Sequence, residues 1–382
     1  MQILQLSKAV SQYVYSTEEL IDAFPCRLPE GVKKNVLNLG VSKRCLINPV
    51  ASASKKETII SEKELVNLCV EACQNTLEKA NLSIKNIGYF IVAYDANPFL
   101  CPGLSHLLIR KLGFNPYVKH VNLQGMACAS FTKALELAED HIATHPNDKV
   151  LLCTSGVNSY WFINQLRGLR DVMETRQIRL IENKSKQKME MRKWIATMEF
   201  FLFGDGVASC VMAKEGDGLS VNKIVDVTNF RKNDYSAGYA RIAALNEPFK
   251  FGFHSHLDKK LPKLGVEYTA LATKKLLGKN AETTMKAAKK WAIHTGSRKI
   301  LNMMAEHYKV PHEKLKESFE VLSEYGNLAG ASLPFILEKI VSENRFSKGD
   351  IILMFGFGWG FSASACMLRF ENIINEAMGL NR

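Results

Sequence analysis

Three side chains of this sequence have the types that acyl-transfer chemistry uses, and each stands where the chain turns into a helix. Cys128 lies in VNLQGMACASF, at a strand-to-helix junction. A thiol there feels the partial positive charge of the helix N-terminus, worth ~0.3–1 kcal/mol and occasionally ~2. From a free pKa of about 8.5 this leaves too little thiolate for a strong nucleophile. A second group is needed, and an imidazole fits best. His294 ends an apolar strand in WAIHTGSRKIL, ahead of a Gly turn, and Asn327 sits in SEYGNLAGAS, in a turn just before a helix. GFGWGFSA (356–363) strings alternating glycines behind a buried strand, and glycine lets backbone approach a ligand closely. Taken singly, these residues have ordinary readings: a packed core thiol, a satisfied core histidine, a helix cap. At separate junctions of one layered fold they can converge at a sheet's edge.

The elements that must position them alternate. Ser61 and Glu64 form a capping-box pattern opening a helix that runs to about residue 80. The stretch 87–93 (IGYFIVA) reads as a buried strand, 95–103 as a loop and 104–112 as a helix. A short strand at 118–123, helical periodicity over 130–144 and a buried strand at 149–154 follow. The second half is similar, with helix 266–277, strand 290–294, helices 297–307 and 328–341, and strand 350–355. FGDGVASCVMA (203–213) and FGWGFSASACML (357–368) each put a Gly turn before an apolar strand. The echo fits a duplicated α/β architecture with halves 1–215 and 216–382.

Composition narrows the class. The chain has 382 residues, 47% hydrophobic and 23% charged, which is enough for one large core or two smaller ones and excludes disorder. No apolar run approaches the ~18–20 residues of a membrane span. Residues 1–24 carry Glu18, Glu19 and Asp22 without a signal-peptide pattern, so a cytoplasmic location is expected. Nine cysteines without CxxC pairs point to reduced thiols and no metal site, and Cys69 and Cys73, four apart on a helix, read as packing.

The formal charge of +12 attracts polyanions: nucleic acid, an acidic carrier protein, or the phosphates of a nucleotide-bearing substrate. No nucleic-acid recognition motif accompanies it. The charge concentrates at 166–194, where nine basic residues face four acidic ones. Leu169, Val172, Met173 and Leu180 make this a partly helical, amphipathic insertion: a solvated face, or a docking surface for an acidic carrier or phosphates.

Together the segments carry a resemblance. PYVKHVNLQGMACASF, FGDG, HTGSRKIL, YGNLAGAS and FGFGWGF, in that order, resemble the thiolase-fold condensing enzymes. The chain is most like the type III polyketide synthases of the chalcone and stilbene synthase kind, with the β-ketoacyl carrier-protein synthase III family a near second. The resemblance runs from about residue 36 to the C-terminus. It implies an α/β thiolase-like fold of two similar layered α-β-α-β-α halves, in a homodimer. Cys128 then resembles the acyl-accepting nucleophile, and His294 and Asn327 the groups that act on a malonyl thioester. No permanently bound cofactor is implied; acyl-CoA and malonyl-CoA, or thioesters on an acyl carrier protein, are the expected substrates.

Substrate contacts are expected from Ala329 and from Gly356, Phe357, Gly358 and Trp359. Others are expected near HSHL (254–257), where Ser255 falls in register and Phe253 is the nearest gatekeeper candidate. Lys43 and Arg44, in GVSKRCL, resemble basic residues near a coenzyme A entrance. Three departures stand out: Trp359 where the family often has Pro, Ala329 where a hydroxylated residue is common, and Cys101 where a Met precedes the Pro-Gly pair. Cavity shape and product length therefore do not carry over.

The implied reaction is a decarboxylative Claisen condensation. Loss of carbon dioxide makes an enolate without a protein base, so hydrogen-bond donors are what the step needs, each worth ~2.7–4 kcal/mol of barrier. Three other readings compete. One is an acyltransferase on the same fold, passing its acyl group to an amine, alcohol or thiol without extension. A non-catalytic partner subunit would usually have lost the nucleophile. A cysteine protease shares the order Cys, His, Asn but lacks a CGSCW-like signature around Cys128.

Overall fold

The computed structural model describes residues 1–50, 62–95, 97, 99, 101–166, 168–242 and 253–371. In the first half the strands are β1 (Gln2–Ala9), β2 (Tyr13–Ser16), β3 (Lys43–Leu46), β4 (Ile87–Tyr94), β5 (Lys119–Leu123), β6 (Lys149–Ser155) and β7 (Val207–Ala213). The second half has β8 (Leu219–Thr228), β9 (Gly238–Ile242), β10 (Phe253–Leu257), β11 (Lys290–Ile293), β12 (Ile351–Gly358) and β13 (Ser362–Phe370). Helices up to the midpoint are α1 (Thr17–Asp22), α2 (Glu30–Leu37), α3 (Glu62–Lys79), α4 (Leu104–Leu112), α5 (Ser130–Thr144), α6 (Ser159–Gln165), α7 (Thr175–Arg179) and α8 (Lys184–Leu202). Beyond it come α9 (Leu261–Leu277), α10 (Ala281–Ala287), α11 (Arg298–Tyr308), α12 (Lys316–Tyr325) and α13 (Ser332–Glu343).

Nine strands form one sheet in the order β11-β12-β13-β8-β1-β7-β6-β4-β5. The two halves use one scheme. In the first, β4 runs parallel to β5 and β6, and β7 lies antiparallel between β6 and β1. In the second, β11 and β12 are parallel, and β13 lies antiparallel between β12 and β8. The FGDG and FGWG echoes thus precede equivalent strands, β7 and β13. Within the sheet, β1 and β8 join the halves through the register pairs Gln2 with Ser220 and Ile3 with Leu219. The expected division at 215/216 falls in the turn between β7 and β8, and the sheet runs across it.

Alternation along the strands builds the layers. On β6, Val150 and Leu152 face a central core while Leu151 and Cys153 face an outer one. The central core packs α5 and α13 between the two sheet halves, through Phe131, Leu135, Leu333, Phe335 and Leu337. Helices α3 and α4 cover the outer face of the first half, and α9 and α11 that of the second. The outcome is the expected α-β-α-β-α arrangement. Each large apolar side chain buried in this way contributes ~1.5–3 kcal/mol.

The predicted strands and helices appear within a few residues of their expected ends. Ser61 lies outside the described residues, so its expected cap is not seen, and α3 begins at Glu62. The helix expected over 328–341 starts as a tight 3-10 turn, Ala329–Ala331, before α13. The insertion forms α7 and α8, and the C-terminal half of α8 is buried from Ile195 to Phe201. It packs with α1, α2 and α6 into a separate small core around Phe24, Val32, Phe162 and Phe200. Among the described residues no helix is long and apolar enough to cross a membrane.

Candidate active site

Cys128 stands on the 3-10 turn Ala127–Ala129 that leads into α5. The residue before it, Ala127, is held at φ 45°, a left-handed conformation that a residue with a Cβ rarely adopts. The thiol donates to Asn327 Oδ1 at 4.0 Å. That oxygen also accepts the Ala329 N–H at 2.8 Å, which fixes the amide so that its Nδ2 is the free donor end. The helix-cap reading of Asn327 is therefore half right: its carbonyl caps the turn, and its position serves the thiol.

His294 follows β11, with its N–H on Phe355 O at 3.0 Å and its ring edge-on to Phe357 at 5.1 Å. Burial pulls its pKa down to about 3, so the imidazole is neutral. Its Nδ1 is buried with no hydrogen-bond partner, a cost of ~1–3 kcal/mol for a group that only packs. This is not a satisfied core histidine. The turns bearing His294 and Asn327 are bonded together. Thr295 Oγ1 donates to Ser332 Oγ at 2.8 Å, and that oxygen accepts the Leu328 N–H at 3.0 Å.

The Gly-rich strand end closes on Cys128. A Cβ at Gly358 would lie 3.1 Å from Ala129 N and from Met126 O, so β12 abuts the Cys128 turn at a distance glycine permits. The FGDG carboxylate, Asp205, is buried and binds the N–H groups of Ile47, Asn158 and Ser159 at 2.6, 2.7 and 2.8 Å, and also the Ser159 hydroxyl. That locks the start of α6 beside the cavity.

Cys128 opens into a cavity of about 580 Å³. Of the expected substrate residues, Ala329 and Trp359 line it. Gly358 abuts the Cys128 turn, and the rest are not among the lining residues. Phe357 packs on His294, and Gly356 faces Ser364 inside the sheet. Ser255 lines a second cleft, described below. Phe253 sits on β10 opposite Ile242, and its side chain lies outside the described residues.

Lys43 is exposed on β3, but Arg44 is fully buried. Its guanidinium donates to Phe200 O at 3.1 Å and Thr17 Oγ1 at 2.7 Å and lies over the Phe201 ring. Burial pulls its pKa down to about 9. The expectation that Arg44 meets coenzyme A is corrected: on β3 only Lys43 is exposed, and Arg44 is buried against α8, which it braces.

Sequence reasoning missed several lining residues, among them Asp95, Asn158, Phe203, Tyr239 and Trp161. Phe203 was legible, since it opens FGDG. Asp95 matters most chemically. It follows β4 directly, accepts the Ala127 N–H, and is pushed up to about 6 by burial. Burial pushes the Cys128 thiol well up, and the nearby Asp95 charge adds to this. Cys128 rests as a thiol, and the helix N-terminus does not offset these effects.

Comparison with known proteins agrees with this arrangement. Residues 33–169 match the family described as FAE1/type III polyketide synthase-like protein, and residues 279–370 match the 3-oxoacyl-[acyl-carrier-protein] synthase III C-terminal family. The chain is 22% identical over 380 residues to the 3,5-dihydroxyphenylacetyl-CoA synthase of Amycolatopsis balhimycina, covering 95% of this chain and 91% of the relative. It is 24% identical over 328 residues to type III polyketide synthase A of Arabidopsis thaliana, covering 85% and 74%. The fold matches the solved 1,3,6,8-tetrahydroxynaphthalene synthase of Streptomyces coelicolor with a TM-score of 0.80 at 20% identity, over 97% of this chain and 100% of that one. These two segments match families of condensing enzymes, and over most of its length the chain is similar to the type III polyketide synthases, whose fold it shares.

Proposed function

We propose that the protein loads an acyl group from a thioester onto Cys128 and extends it by decarboxylative condensation with a malonyl thioester. The observation that carries this reading is the Cys128 thiol, 4.0 Å from the Asn327 amide at a 580 Å³ cavity, with the His294 and Asn327 turns bonded together behind it. That volume suits an acyl chain or a small ring.

In loading, the neutral His294 imidazole accepts the thiol proton as the sulfur attacks the thioester carbonyl carbon. The leaving thiolate takes the proton back. Because Cys128 rests as a thiol, proton transfer accompanies attack rather than preceding it. In extension, the bond from the malonyl carbon to its carboxylate breaks, and carbon dioxide leaves. The electron pair forms an enolate whose oxygen accepts hydrogen bonds from the His294 N–H and Asn327 Nδ2. The enolate carbon attacks the acyl-Cys128 carbonyl, and the sulfur leaves. The Cys128 backbone N–H and the GFGWG loop hold that second oxyanion. The enzyme acts as a cytoplasmic homodimer with coenzyme A thioesters as donors.

Intact-protein mass spectrometry tests this. Wild type offered a panel of acyl-CoAs is expected to gain an acyl mass that Cys128→Ala does not, and malonyl-CoA is expected to discharge it with release of carbon dioxide. Acylation without carbon dioxide release would move the reading to acyl transfer without extension. No acylation with any donor, on coenzyme A or a carrier, would overturn both.

A further inference from the structure

The withdrawal of Arg44 into the core leaves the phosphate end of a donor without one of its expected cations, and the structure offers a replacement. A second cleft, of about 350 Å³, lies between the insertion helices α7 and α8 and the hairpin β9–β10. Arg179, Lys184, Lys188 and Arg192 line it, and no carboxylate does among the described lining residues. Three of the insertion's four acidic groups are engaged elsewhere, and the fourth, Glu182, is exposed and is not among the lining residues. Asp171 and Glu190 both hold Lys193, and Glu174 holds Arg176 and the Gly31 N–H. Glu199, behind Ser255, is raised to about 8 by burial, so it stays neutral at pH 7 and does not cancel the field.

The cleft is not only charged. Tyr239 and His256, opposite each other on β9 and β10, stack at 5.3 Å and 25° and both line it. Ile178, Met191 and Ile195 give it an apolar side. Cations beside stacked rings and an apolar wall suit a nucleotide: phosphates on the Lys and Arg groups, a purine on the rings. Tyr239 also lines the Cys128 cavity, so the cleft and the cavity share a wall.

We propose that the insertion builds a nucleotide site of this chain's own, which holds the adenosine 3′-phosphate 5′-diphosphate end of a coenzyme A thioester while its pantetheine arm reaches Cys128 past Tyr239. The identity of the nucleotide rests on reading Cys128 as the acceptor of coenzyme A-borne acyl groups. The existence of the site does not.

The test therefore has two arms. Calorimetric titration with adenosine 3′,5′-bisphosphate needs no turnover. Wild type is expected to bind it, Arg179→Ala/Lys188→Ala to bind at least tenfold more weakly, and Arg179→Lys/Lys188→Arg to recover. Equal binding by all three, or none by wild type, overturns the site even if condensation proceeds. The second arm compares an acyl-CoA with the same acyl group on N-acetylcysteamine, which carries no phosphates. In the double Ala variant, the ratio of kcat/KM for the two donors is expected to fall at least tenfold in the direction of the short donor. An unchanged ratio alongside lost nucleotide binding would assign the cleft to a nucleotide other than the donor, and would overturn the donor half. Nucleotide binding that responds to the variants while no acyl-CoA ever loads Cys128 would instead sink the condensing reading and leave the cleft standing.

Discussion

The two central helices begin alike and do opposite work. GMACAS (125–130) opens α5, and NLAGAS (327–332) opens α13. Each has an alanine at positive φ, Ala127 at 45° and Ala329 at 47°, then a 3-10 turn and then the helix. Where the first segment has Cys128 the second has Gly330, and where the first has Gly125 the second has Asn327. The strands beside them add a second pair. β4 delivers Asp95 and β11 delivers His294, each as the next residue after its strand. One half thus carries a thiol and a carboxyl, the other an amide and an imidazole. Burial drives both titratable groups toward neutrality, Asp95 up to about 6 and His294 down to about 3. A duplicated scaffold sets complementary groups at two equivalent corners, and above about pH 6 the Asp95 carboxylate is charged while the His294 imidazole is neutral.

If the second corner stabilises developing charge, its loss has the largest effect. Asn327→Ala and His294→Ala are each expected to lower the rate of malonyl decarboxylation about 10²–10³-fold. Carbon dioxide release from malonyl-CoA measures this. Asn327→Ala is expected to leave Cys128 open to slow acylation by mass spectrometry, because the nucleophile belongs to the other corner.

The next effect concerns pH and separates the corners by sign. His294 has a folded pKa depressed from 6.5 to about 3. Below 6.5 the unfolded chain binds the extra proton, so this contribution to stability is present above 6.5 and lost as pH falls toward 3. Between pH 6.5 and 5 the loss is about 2 kcal/mol. His294→Gln, which cannot titrate, is expected to remove that slope in denaturant unfolding followed across this range. Asp95 has a raised folded pKa, so its contribution runs the other way: complete below its unfolded value and lost as pH rises through about 6. An unchanged slope in His294→Gln would mean that the imidazole is hydrated in solution.

How much of this the sequence disclosed follows from where each signal lives. Strands such as β4 and β6, buried on both faces, are continuous apolar runs, and helices α4 and α5 keep a clean period; these were legible. β8 was not, because Asn222, Lys223 and Asp226 interrupt its apolar residues where one side meets solvent. The turns that carry Cys128, His294 and Asn327 were legible because glycines mark them. The cavity wall was not, since Asp95, Asn158 and Tyr239 come from distant elements whose juxtaposition only the sheet order decides. Arg44 shows the limit of reading charge as surface: it directly follows exposed Lys43, yet it is buried against α8.

Space, rather than chemistry, keeps the second corner free of a thiol. A Cβ at Gly330 would lie 1.9 Å from Ser130 Oγ, whereas one at Gly125 meets nothing within 4 Å and is opposed only by φ 79°. Gly330→Ala is therefore expected to cost ~1–3 kcal/mol by overpacking the junction of the two helix starts, and to slow Cys128 acylation by moving its turn. Gly125→Ala is expected to cost about 1 kcal/mol, from backbone strain alone. Calorimetric melting of both variants checks the difference; equal losses would mean that the two helix starts are looser in solution than they are here.

The smallest effect expected is at Asp95, and it bears on why an acid lies beside a nucleophile. An anion there opposes thiolate formation, which works against Cys128 unless the carboxyl is protonated or neutralised by what binds. Asp95→Asn keeps the shape and removes the charge. Above pH 6, where the wild-type carboxylate is ionised, the variant's thiol is expected to react with iodoacetamide roughly threefold to tenfold faster, the factor of one pKa unit or less. Below about pH 5 the two proteins are expected to converge, because wild-type Asp95 is then neutral as well. A rate difference that persists unchanged at low pH would show that Asp95 acts on Cys128 through packing at the Ala127 turn and not through its charge. A difference that appears only above pH 6 would make the first corner an acid-tuned thiol, set against a second corner whose imidazole rests neutral.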